Sequence, residues 1–273
     1  MSLGLARASS WAAIAGSAFV WVVLLGPIGV LVAHVSPHNL DATLGPPGAL
    51  DPLWISLGAS AVALGVIVGL GTPLAYLLAR RRLPFPRLIE AGVVVPLLMP
   101  PLVIGLLLIF LIGQSGPVGQ ALSHLSGSAF GINTFFALVV AEFYEAAPYY
   151  VLSAEGAFAA VDERLEQDAR LLGDRPLAAF FKVTVPLAAP GLSTGLATSW
   201  ARAMGAFGAV LIVAYNPRGL PIAIDTTFVE LGLGRALPYA LLLVVAALPL
   251  PLLAYVWAAR VRGRHLAMEP ALP

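Results

Sequence analysis

Six long apolar runs constrain this chain more than any motif does: residues 11–35, 53–79, 88–112, 134–157, 187–215 and 237–259. A helix needs about 20 apolar residues to cross the hydrocarbon core of a bilayer, and each run is long enough. Lipid offers no hydrogen bonds to the backbone, so a spanning segment must satisfy its own N–H and C=O groups, as a helix does. The expected fold is all-α: a polytopic bundle of six transmembrane helices in a single membrane domain over residues 1–273. The composition points the same way. Charged residues make up 11% of the chain and hydrophobic ones 59%, where soluble domains carry about 25% charged residues. The first run follows Arg7, but its apolar core is too long for a secretory signal, so it is expected to be retained as a span.

Orientation follows from the basic residues. Arg7, the group Arg80, Arg81, Arg82 and Arg87, the group Arg164, Arg170, Arg175 and Lys182, and the group Arg260, Arg262 and Arg264 all fall on one side of the six runs. The opposite connections hold only Arg218 and Arg235. The positive-inside rule then puts both termini and the connection 162–186 in the cytoplasm of a multi-pass cell-membrane protein. The basic residues are not pooled into one patch, which leaves no surface for nucleic acid. With no cysteine there is no disulfide framework and no thiolate metal site, and the histidines His34, His38, His124 and His265 are too scattered to suggest a metal. No cofactor is expected.

The connection 162–186, DERLEQDARLLGDRPLAAFFKVTVP, is the one long polar interruption of the chain. Val161, Leu165, Ala169 and Leu172 recur at helical spacing, with Glu163, Arg164, Glu166, Gln167 and Arg170 between them, which predicts an amphipathic helix capped by Asp162. Gly173 stands where a helix needs a residue that tolerates positive φ. Pro176 can open a second short helix carrying Phe180 and Phe181, after which Pro186 and Pro190 restart the chain into apolar sequence.

Ala169, Gly173 and the later Val183-Thr184-Val185-Pro186 resemble the EAA loop of ABC importer permeases, the inner-membrane components of binding-protein-dependent transport systems. Gln167 and Asp168 stand where that pattern has Glu and Ala, and Glu166 supplies a carboxylate one position early. The resemblance implies that Glu166, Gln167, Asp168, Ala169, Gly173, Val183 and Pro186 couple the chain to an ABC ATPase subunit. Two further stretches extend it. Gly71-Thr72-Pro73-Leu74-Ala75-Tyr76-Leu77-Leu78-Ala79-Arg80 is similar to the ending of the family's second span. Pro96 to Gly105 with Gly113 to Gly119, then Ala214-Tyr215-Asn216-Pro217 and Phe228 to Leu233, look like permeases for molybdate, tungstate and sulfate. The family implies a homodimer sharing one path, two ATPase subunits, and an extracytoplasmic binding protein that sets most of the specificity.

Residue chemistry within the spans adds candidates. Pro96, Pro100 and Pro101 must interrupt the hydrogen-bond ladder of the third run. In the fourth, Glu142 and Glu145 are expensive in lipid; near an outer end they would snorkel or pair, and deeper they would mark function. In the fifth, Gly191, Thr194, Gly195, Thr198, Ser199, Arg202 and Gly205 form a small, polar stripe suited to lining a path or to packing against another helix. Arg202 would either attract an oxyanion or neutralise Glu142 or Glu145. Met204-Gly205-Ala206-Phe207-Gly208-Ala209 resembles the family's G-E-F-G-A segment with Ala206 in place of Glu, which would remove a neighbour of Arg202.

The expected function is the pore subunit of an ATP-driven importer, moving molybdate, tungstate or sulfate by alternating access. A secondary transporter using Glu142, Glu145 and Asp225 as relays is the alternative, and the absence of an inverted repeat counts against it. The chain is not expected to be an enzyme: Lys182 is its only lysine and lies outside any GxxxxGK[ST] loop, so hydrolysis of ATP would belong to a partner.

Overall fold

A computed structural model describes the backbone of residues 2–126 and 131–267, and the side chains of residues 14–125 and 131–258. Arg7, Arg260, Arg262, Arg264 and His265, used above, lie outside the described side chains. The described backbone holds fourteen α-helices and one π-helical turn, with no strand among the described residues. They are α1 (Ser2–His34), α2 (Pro37–Leu44), α3 (Asp51–Ala79), α4 (Pro86–Leu98), α5 (Pro101–Ile112), α6 (Pro117–Ser126), α7 (Phe135–Ala159), α8 (Glu163–Leu171), α9 (Pro176–Ala179), α10 (Val185–Met204), α11 (Gly208–Val213), α12 (Leu220–Leu231), α13 (Leu233–Ala247) and α14 (Pro249–Ala267).

Five segments are long and apolar enough to cross a membrane: Ile14–His34, Asp51–Ala79, Phe135–Ala159, Pro176–Met204 and Leu233–Ala258. The sixth is broken. α4 and α5 meet at a bend of 116°, so the run 88–112 is not one straight helix. The cause is local: Met99, which precedes Pro100, is extended at φ −87° and ψ 138°, the region a residue before proline prefers. Pro96, by contrast, stays within α4.

The fifth run also departs from expectation at both ends. It starts earlier, because α9, a π turn at Phe180–Thr184 and α10 form one continuous helical path; Pro186 sits in the first turn of α10 and does not restart the chain. It ends earlier too, at Met204, where Gly205 and Ala206 interrupt the helix before α11.

α7 is the central helix, packed against α3 and α10. The α3 contact needs Gly71: a Cβ there would lie 3.1 Å from both Tyr150 and Val151. Two apolar cores result. One joins Ile104, Leu108 and Ile112 of α5 to Leu138 of α7 and Val210 and Val213 of α11. The other joins Ile67 and Leu78 of α3 to Tyr150 and Phe158 of α7 at the end where the polar connection lies. α1 runs along the edge against α13 and exposes Phe19, Trp21 and Val22.

Candidate functional site

The polar connection folds as its caps dictate. Asp162 accepts a hydrogen bond from the Arg164 N–H at 2.9 Å and starts α8. At the other end Gly173 adopts φ +103°, and its N–H and that of Asp174 donate to the carbonyls of Arg170 and Ala169 at 3.1 Å each. This pair of bonds closes the last turn in the Schellman manner. Lys182 then pairs with Asp174 at 2.6 Å across the elbow.

α8 faces the opposite way from its hydrophobic stripe. Of the four residues of that stripe, only Val161 is buried; Ala169 is half-buried, and Leu165 and Leu172 are 46% and 90% exposed. Glu166 is buried instead, and its carboxylate is fully engaged. Tyr76 donates to both of its oxygens at 2.9 Å, and the Thr184 hydroxyl donates to Oε2 at 2.9 Å. Arg80 lies 3.9 Å from Glu166, forms an ion pair with Glu163 at 3.4 Å, and donates to the Val161 carbonyl at 2.9 Å. An uncompensated carboxylate could not stay in this position; these two hydroxyl donors and the arginine replace its hydration. Glu166 thus ties α8 to the end of α3 and to the π turn. The outward surface it leaves is apolar: Leu171, Leu172, Leu177 and Phe181 are 85%, 90%, 72% and 62% exposed. Gln167, Asp168, Gly173 and Pro186 are exposed on the same loop, and Val183 is half-buried.

The stripe on α10 divides into two faces. Gly191, Gly195 and Ser199 meet α7: a Cβ on Gly195 would lie 2.8 Å from Ser153, the Ser153 hydroxyl donates to the Gly191 carbonyl at 3.1 Å, and Ser199 donates to the Ala146 carbonyl at 2.9 Å. Ser199, a candidate for the path, is therefore a packing residue, since it is fully buried between helices. Thr194, Thr198 and Gly205 lie on the exposed face.

Arg202 stands at the edge of that face and pairs with Glu145 at 2.6 Å, its own side chain one-third exposed and that of Glu145 fully buried. Glu145 also accepts from the Ala209 N–H at 3.3 Å. It lies about 15 Å from the start of α7, ten residues after Phe135 at 1.5 Å per residue, so it is deep in the span and not near an outer end. It supplies the carboxylate that Ala206 does not. Glu142, one turn earlier, is equally buried. Glu145 sits where two broken helices meet. A Cβ on Gly208 would lie 2.6 Å from Pro101, and one on Gly105 2.7 Å from Ile212, so the interruption after Met204 and the one at Met99–Pro100 pack side by side.

Residues 71–264 match the family described as binding-protein-dependent transport system inner membrane component. The chain belongs to this family. It is 40% identical over 219 residues to a probable molybdenum ABC transporter permease protein of Haloferax volcanii, covering 80% of this chain and 79% of that protein. It is 31% identical over 232 residues to a molybdate/tungstate transport system permease protein of Thermococcus kodakarensis, covering 84% and 88% respectively. Its fold resembles that of a bacterial alginate ABC transporter crystallised with an alginate-bound periplasmic protein, with a TM-score of 0.67 at 15% identity over 93% of this chain and 96% of that one.

In this inner-membrane component several site residues carry no signal in sequence. Tyr76 lies within the Gly71–Arg80 stretch, but nothing there shows that its hydroxyl reaches a residue 90 positions later. Thr184 is a buried hydroxyl between two valines, a polar residue on an apolar face that requires a partner. Ser153 and Gly208 are small residues whose close contacts appear only in the packed bundle.

Proposed function

We propose that the chain is the pore-forming permease subunit of an ATP-driven importer, and that its cargo is a tetrahedral oxyanion, molybdate or tungstate before sulfate. The observation that carries the coupling half of this reading is the apolar surface of Leu171, Leu172, Leu177 and Phe181 around Gly173, held out from the bundle by buried Glu166. Exposed apolar groups of this size beside charged ones are a surface for a protein partner. An ABC ATPase subunit is that partner, reading Gln167, Asp168, the Gly173 elbow and exposed Pro186; Glu166 and Val183 position the loop from behind.

The whole chain acts as one membrane domain, with both termini and the loop 162–186 in the cytoplasm. Two copies share one path, and an external binding protein delivers the cargo. The names of the relatives support the choice of oxyanion. Thr194, Thr198, Gly205 and the exposed part of Arg202 line the path, with the one-third of the Arg202 side chain that Glu145 and the bundle leave uncovered offering the cation. ATP-driven closure of the partner dimer draws the two α8 segments together. Because Glu166 joins α8 to α3 and to the start of α10, that motion tilts the spans and opens the helix breaks around Pro101 and Gly208 to the outside; release of the hydrolysis products restores the inward-facing state.

The test is ATP hydrolysis by the chain reconstituted with its ATPase subunit, with and without binding protein loaded with tungstate, molybdate or sulfate. Stimulation by a loaded binding protein is expected. Failure to associate with any ATPase, with uptake that follows an imposed proton or sodium gradient, would replace this reading with a secondary transporter.

A further inference from the structure

At the polar-loop end a groove of about 680 Å³ opens between α3, α8 and α10. Val68, Tyr76, Val185 and Leu192 are among its walls, Arg82 and Arg170 stand at its rim, and Leu177 and Phe181, which also belong to the proposed ATPase surface, line it on the loop side, so the two surfaces adjoin. The eight residues from Val68 to Tyr76 make it about 12 Å deep along α3. It therefore runs from the basic end of the bundle into the depth of the acyl chains.

Both rim arginines are exposed and neither forms an ion pair among the described residues. The nearest carboxylates are engaged elsewhere, Glu163 with Arg80 and Glu166 with Tyr76 and Thr184. Arg82 lies 5.8 Å from the centre of the Tyr76 ring. The connection just beyond, with exposed Arg81, Phe85, Arg87 and Leu88, alternates cations with apolar groups as a headgroup-level segment does.

The groove is also separate from the proposed path. Leu192 and Thr194 are two residues apart on α10, hence about 200° around the helix. The exposed Thr194 face looks away from the groove.

We propose that this groove binds an anionic phospholipid, one acyl chain lying between Val68 and Leu192 and the phosphate held by Arg82 and Arg170. The proposal rests on the cytoplasmic placement of this end given above. It extends that reading to a lipid of the inner leaflet. Such a lipid would fill the angle between α8 and α3 and stiffen the joint through which the ATPase acts.

The test is native mass spectrometry of the purified full chain released from nanodiscs of equal parts phosphatidylglycerol and phosphatidylcholine. Retention of phosphatidylglycerol over phosphatidylcholine is expected. The double variant Arg82→Gln, Arg170→Gln should reduce that preference roughly 30-fold, the effect of two cations at about 1 kcal/mol each. Val68→Trp, which fills the groove and keeps both arginines, should also abolish it.

Equal retention of the two lipids by the wild type, or an unchanged preference in both variants, would overturn the proposal. So would displacement of the lipid by millimolar inorganic phosphate alone, which would make the site one for a free anion. A loss of self-association in Val68→Trp with lipid retention intact would assign the groove to a second copy. None of these readings depends on transport, so the lipid site and the importer function can fail separately.

Discussion

The hydroxyl of Tyr76 lies 2.9 Å from both carboxylate oxygens of Glu166. A membrane span and the helix of the polar loop therefore share one buried hydrogen-bonded group, with Thr184 donating to the same carboxylate from the start of the fifth span. Three elements meet at one side chain. In the proposed mechanism these bonds carry a displacement of α8 to α3 and α10.

Tyr76→Phe removes one donor and leaves Thr184 and Arg80 in place. The loss should be about 1.5–3 kcal/mol, the range for a hydrogen bond to a charged group. Glu166→Leu should cost more, because Tyr76 and Thr184 both lose their acceptor and Arg80 keeps only Glu163 and the Val161 carbonyl. For Tyr76→Phe the account predicts unchanged association with the ATPase but fewer ions transported per ATP hydrolysed. An unchanged ratio would reduce the Tyr76–Glu166 contact to a packing feature.

Gly173 has open space around the position of a Cβ, so only its φ of +103° limits substitution. Gly173→Ala should cost about 1–2 kcal/mol, the penalty for an L-residue in left-handed backbone, while Gly173→Asn should be milder. Gly173→Trp adds a bulky ring to the exposed apolar surface and should prevent association with the ATPase, read by co-purification. Transport at the wild-type rate in Gly173→Trp would remove the loop from the coupling role.

The two faces of α10 should respond differently. Gly195→Val forces a side chain into Ser153, where even a Cβ would lie at 2.8 Å, and should lower thermal stability by about 1–3 kcal/mol as an overpacked contact does. Thr198→Val lies on the exposed face and should leave the melting temperature unchanged while altering flux. Equal destabilisation by both would show that Thr198 is buried in the assembly.

Much of this architecture was legible in the apolar runs, because a segment in lipid has few ways to satisfy its backbone. The Gly173 elbow and the Asp162 cap were legible as well, each resting on one residue's local chemistry. The facing of α8 was not. The periodicity gives an amphipathic helix without saying which way its stripe points, and Leu165 and Leu172 stay exposed because Tyr76, Arg80 and Thr184 converge on Glu166 from distant parts of the chain. The span 88–112 hid its bend for a related reason: the prolines announce an interruption, but three of them stand in the run, and only the one after Met99 turns the chain, by 116°, while Pro96 stays within α4. The stripe on α10 mixed two faces that only the position of α7 separates.

Glu145 and Arg202 offer a further test. Arg202→Ala strands a fully buried carboxylate, and breaking such a pair costs about 3–5 kcal/mol when both partners are buried; the partial exposure of Arg202 puts the expectation at the lower end. The double variant Glu145→Leu, Arg202→Met should recover most of that stability, read by thermal unfolding in detergent. Anion flux should stay reduced in the double variant, because the path has lost its cation. Full recovery of flux would make Arg202 a structural partner of Glu145 and nothing more.

The most direct measurement is uptake of labelled molybdate and tungstate into proteoliposomes containing the chain and its ATPase, with loaded binding protein outside and ATP inside. Accumulation that needs ATP and binding protein together and is abolished by Gly173→Trp is expected. Accumulation that proceeds without ATP and collapses when an ion gradient is dissipated would contradict it.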